Sequence, residues 1–112
     1  MKIKVAFLIF LFFLSNIYSK EISAREYAKF GTRAFKLKLY KEAEIRFKQA
    51  AQKDPKNPYY FNNLAIICEI LGKIDEARNY YQEALKLAPK DKNIKENYER
   101  FENYVKNNFP SP

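Results

Sequence analysis

Histidine is absent from the 112-residue chain, cysteine occurs once, and there are only two glycines. Each shortage removes a class of chemistry. Without imidazole there is no histidine general acid or base and no Ser-His-Asp or Cys-His nucleophile. Zinc, too, would have to rely on several thiolates that are not there. Two glycines supply no glycine-rich loop to cradle a phosphate, so P-loop and dinucleotide fingerprints are missing. No cofactor and no metal is expected. The lone Cys68 sits at a small position of a helical pattern, which points to burial. A nucleophile would need an exposed, electropositive site and a nearby base. The carboxylates Glu42 and Glu44, and Asp75 and Glu76, fall near expected helix starts, where negative charge offsets the helix dipole. This inventory supports no enzyme.

The opening residues have the layout of a secretory signal: Lys2 and Lys4, then an unbroken apolar run from Val5 to Leu14, then the more polar Ser15 to Ser19. A spanning helix needs about 20 apolar residues, and this run is half that. Residues 1–19 are therefore expected to be a signal peptide cut between Ser19 and Lys20, with no cysteine nearby for lipid attachment. The alternative is an uncleaved membrane anchor through residues 5–18. Either way the expected location is exported, periplasmic or secreted, with residues 20–23 as a lead-in. The rest of the chain has the length of one small domain, whose stability must come from packing.

That domain repeats itself. A shift of 34 residues pairs Leu37 with Leu71, Glu42 with Glu76, Ala43 with Ala77, Ala50 with Ala84 and Pro55 with Pro89. Sizes follow the same shift: Tyr27 falls on Phe61, Phe30 on Leu64, Gly31 on Ala65, Ala34 on Cys68 and Phe47 on Tyr81. Steps of three and four join Tyr27, Phe30, Gly31, Ala34 and Leu37 into one apolar helix face, and Ala43, Phe47 and Ala50 into another. Each copy thus predicts two helices. Ser23 with Glu26 reads as a capping box, Asn57 before Pro58 as an N-cap with proline at the first helical position, and Gly72 and Pro89 as breaks. Small residues at Gly31, Ala43, Ala65 and Ala77 let paired helices approach, with Phe47 and Tyr81 filling the space beside them. After Asp91, the spacing of Ile94, Tyr98, Phe101 and Val105 predicts one more helix.

The pattern Tyr27-x2-Phe30-Gly31-x2-Ala34, Ala43-x3-Phe47, Ala50, Pro55, with its second copy Phe61-x2-Leu64-Ala65-x2-Cys68, Ala77-x3-Tyr81, Ala84, Pro89, resembles the tetratricopeptide repeat. The resemblance implies an all-α fold: a short right-handed α-solenoid of antiparallel helix pairs, five helices after the signal segment. Repeat 1 would cover 24–57, repeat 2 58–91, a capping helix 92–106 and a flexible tail 107–112. It also implies a non-enzymatic scaffold that docks a peptide or protein in a concave groove. Tyr59, Ile66 and Ile70, with Phe35 and Tyr104, would floor that groove, and Asn62, Asn63, Glu69, Asn97 and Arg100 would add polar contacts. The other reading of Tyr59, Ile66 and Ile70 is packing within the chain or a homodimer. Of the places where chaperone-binding members of the family grip a terminal carboxylate, here Ala28, Thr32, Asn63, Asn93 and Asn97, only Asn63 fits, so no such clamp is expected.

The chain carries a formal charge of +8, with Lys29, Arg33, Lys36, Lys38, Lys41, Arg46 and Lys48 crowded into the first repeat. The simplest reading is a solvated helix face broken by Glu42 and Glu44. Its electrostatic rival is contact with an acidic protein or anionic lipid. Nucleic acid is disfavoured by the signal segment.

Overall fold

The computed structural model describes residues 2–18 and 20–112, and all regular secondary structure among them is helical. In chain order the helices are α1 (Lys2–Tyr18), α2 (Ala24–Lys36), α3 (Tyr40–Lys53), α4 (Pro58–Ile70), α5 (Ile74–Leu87) and α6 (Lys92–Asn108). The expected cut after Ser19 falls at a residue outside the described set. Packing runs from α2 to α3, α3 to α4, α4 to α5, and then α6 against both α5 and α4. Helix α1 holds the apolar run and leaves Phe7, Phe10, Phe12 and Phe13 exposed. No helix among the described residues is long and apolar enough to cross a membrane.

Local signals set the helix starts. The Ser23 hydroxyl accepts from the Glu26 amide at 3.2 Å, and the Glu26 carboxylate accepts from the Ser23 amide at 3.1 Å, closing the capping box at α2. Asn57 accepts from the Tyr59 amide ahead of Pro58, and Asp91 accepts from the Ile94 amide at α6. The two hairpin turns are copies in hydrogen bonding. The Leu37, Lys38 and Leu39 amides donate to the carbonyls of Arg33, Phe35 and Ala34, as those of Leu71, Gly72 and Lys73 do to Ile67, Glu69 and Cys68. Both turns need one left-handed residue. Gly72 supplies it at φ 75°, whereas the first turn forces Lys38 to φ 60°. At the far end α6 runs to Asn108, two residues past the expected stop. Phe109 leaves the helix before Pro110, whose ring disfavours helical backbone in the residue ahead of it.

The core follows the size alternation read from the sequence. Ala43, Ala65 and Ala77 are fully buried at helix contacts, with Phe47 and Tyr81 beside them. The rings of Phe101 and Tyr98 on α6 lie 5.4 and 5.7 Å from that of Tyr81, so α6 covers the C-terminal end of the stack. Burial holds the Cys68 thiol up at about 11, so little thiolate forms at neutral pH.

Two expectations need correction. Phe30 and Leu37 are 46% and 64% exposed, whereas Leu64, on which Phe30 falls, is 1% exposed. Leu64 is covered by α3, the helix before its own pair, and among the described residues nothing comparable covers α2. Glu44, read as a solvated helix-start charge, is 6% exposed. It accepts from Lys48 at 2.7 Å along its helix and from Lys73 at 3.0 Å across the repeat boundary. Glu42 instead pairs on the surface with Arg46.

Candidate functional site

Helices α2 and α4 border a cleft of about 280 Å³, lined by Thr32 and Phe35 from α2, Asn63, Ile66 and Ile67 from α4, and Phe47 from α3. Its walls are apolar for a local reason. The Thr32 hydroxyl donates to the Ala28 carbonyl at 2.9 Å, so its donor is used within its own helix. Phe35 is held edge-on by Tyr40, with ring centroids 5.5 Å apart. Asn63 is the polar exception. Its half-buried amide makes no hydrogen bond to the described residues, which leaves two donors and an acceptor for an occupant.

Three of the residues expected in the groove, Phe35, Asn63 and Ile66, therefore line one cleft. Others are engaged elsewhere. Asn62 is buried and accepts from Asn97 at 3.2 Å, tying α4 to α6. Arg100 donates to Asn97 and to Glu69, each at 3.4 Å. Glu69 also accepts from the buried Tyr81 hydroxyl, whose pKa is raised by burial and by that bond. These four polar residues form a network that seats α6 on the second repeat. Tyr59 and Ile70 are exposed, and the Tyr59 hydroxyl donates to Asp91 at 2.9 Å. Tyr104 is exposed on α6, edge-on to Phe109.

A second hollow adjoins the cleft at Thr32, which lines both. Arg25, Lys29, Arg33 and Lys36 border it along α2, with Tyr60 opposite from α4. Arg25 lies outside the basic cluster that begins with Lys29. Its four-residue step to Lys29 and on to Arg33 is the signal that places all three on neighbouring turns.

The tetratricopeptide-repeat family model matches residues 58–91. A TPR repeat-containing protein of Methanocaldococcus jannaschii is 36% identical over 75 residues, covering 67% of this chain, and the chain spans 13% of that relative's length. The TPR domain of Arabidopsis OM64 superposes with a TM-score of 0.69 at 24% identity, over 75% of this chain and 69% of that one. The second TPR domain of human RPAP3, solved in complex with an HSP70 peptide, gives 0.68 at 25% identity, over 72% and 68%. By the family-model match residues 58–91 are a tetratricopeptide repeat, and the helical stack around them has the fold of tetratricopeptide-repeat domains.

Proposed function

We propose that this chain is a non-enzymatic interaction module that binds a peptide segment of another protein across α2 and α4. The observation that carries the reading is the cleft itself: an apolar hollow with one uncommitted amide, Asn63, at its wall. The peptide-bound RPAP3 domain of similar fold supports it. The clustered candidates Phe35, Asn63 and Ile66 are assigned to the occupant's side chains, and the exposed Tyr59 and Ile70 extend the same helix's reach. A photocrosslinking residue placed at Asn63 in the full chain tests this. Adducts that vanish with Ile66→Asp, while melting is unchanged, support the cleft. Adducts that persist, or unfolding of the variant, count against it.

We further propose export to the cell envelope, on the basic start and apolar run of α1. N-terminal sequencing of the protein recovered from its cells distinguishes a cut after Ser19 from retention of residues 5–18. The uncovered edge of Ile22, Phe30, Leu37 and Leu39 favours a second reading, self-association, which light scattering tests.

A further inference from the structure

The charges around the cleft are lopsided. On the α6 side Arg100 is matched by Glu69. On the α2 side Arg25, Lys29, Arg33 and Lys36 have no carboxylate within ion-pair distance among the described residues. Glu26, the single acid of that helix, is taken up by the Ser23 amide and by Lys20 at 3.5 Å. Arg33 and Lys36 stand in the last turn of α2, where positive charge offsets the helix dipole. Arg25 stands in the first turn, where the same dipole opposes a cation, and the Arg25–Lys29 and Lys29–Arg33 steps set like charges one turn apart. Helix stability does not account for that placement. A bound anion does.

We infer that the occupant is an acidic peptide segment carrying one bulky apolar side chain. This rests on the cleft reading above and narrows it. The apolar side chain fills the hollow between Phe35 and Ile66, and the flanking carboxylates meet Arg25, Lys29 and Lys36 beside Tyr60. From Arg25 to Lys36 the helix rises about 16 Å, the span of about five extended residues. Asn63 is placed to bond the segment's backbone or a side-chain carboxylate. The recognition needs no terminal carboxylate.

The probe is a fluorescein-labelled peptide of about nine residues, one phenylalanine flanked by Asp and Glu, titrated against the full chain by anisotropy. Versions with Asn and Gln, or with Lys, replace the acids. The acidic peptide should bind about tenfold or more tighter than the neutral one, and the advantage should shrink as salt rises. Arg25→Glu with Lys29→Glu should remove the advantage, and Lys95→Glu on α6 should not. If the double reversal fails to fold, Arg25→Gln with Lys29→Gln serves, judged by circular dichroism. Equal binding of acidic and neutral peptides, both lost in Ile66→Asp, overturns the acidic assignment and leaves the cleft standing. Binding of no peptide, or binding untouched by Ile66→Asp, overturns both. Uptake of anionic phosphatidylglycerol vesicles that needs Arg25 and Lys29, with no peptide bound, identifies a lipid surface and overturns the peptide assignment.

Discussion

Gly31 of α2 lies flat against the ring of Phe47 of α3: a β-carbon added there would sit 2.8 Å from two ring carbons. Phe47 is almost fully buried, so its ring can give way only toward the cleft it lines. Gly31→Ala gains about 1 kcal/mol in helix propensity but incurs an overpacking cost of about 1 to 3 kcal/mol, so a net loss of about 1 kcal/mol is expected in urea unfolding. Ala43→Leu, at a fully buried position, has no propensity gain to offset and should cost about 1 to 3 kcal/mol.

The two hairpin turns offer a matched pair of substitutions. Lys38 at φ 60° and Gly72 at φ 75° make the same hydrogen bonds with different residues. Lys38→Gly should stabilise by about 0.5 to 1 kcal/mol, and Gly72→Ala should destabilise by about 1 kcal/mol, both read as shifts in melting temperature. Shifts of the same sign at these equivalent positions would contradict the left-handed turn as their shared cause.

Exposure of the first helix pair predicts an asymmetry between the repeats. Phe30→Ala removes a ring that is half in water and lies under the Arg46 guanidinium at 5.9 Å, so it should cost about 1 kcal/mol or less. Leu64→Ala, its counterpart in the second repeat, should cost about 2 to 5 kcal/mol. Similar losses at both would mean that something covers Phe30 in solution.

The features legible in the sequence were those that depend on near neighbours in the chain. Ser23 and Glu26 are three residues apart, Asn57 adjoins Pro58, and the size alternation repeats at 34, so caps, helices and core could be read directly. Phe30 could not be placed, because an apolar face shows that a residue can be buried and not whether a helix arrives to bury it. Glu44 was misread because Lys73 comes to it from 29 residues away. The resemblance puts Asn62 and Glu69 in the groove, and in the fold their polar atoms bond Asn97 and Arg100 of α6. At the site, Phe35 and Ile66 enter as groove positions through the resemblance, and Arg25 stands apart from the basic cluster, beside the Ser23–Glu26 capping box.

Glu44 gives the fold a pH dependence. Burial pushes its pKa upward, but hydrogen bonds and charge from Lys48 and Lys73 outweigh that and hold it below the ordinary 4.5. A lowered folded-state pKa means the carboxylate's stabilisation is complete above about 4.5 and drains away as pH falls through the lower folded value. Lys48 and Lys73 are raised by their bonds to Glu44, so their contribution is complete below 10.5 and is lost as pH climbs through the raised values. Glu44→Gln should therefore flatten the stability profile at both ends. Unfolding free energies measured by urea between pH 3 and pH 11 check this, and unchanged slopes in the variant would contradict it.

The most direct measurement of the central claim is an amide chemical-shift titration of the full chain with the acidic, phenylalanine-bearing peptide. Binding across α2 and α4 predicts the largest changes at Arg25, Lys29, Thr32, Asn63 and Ile66, with the outer residues of α3 and α5 silent. Changes centred on Phe30, Leu37 and Leu39, or on α5, would put the contact on another face and contradict the account.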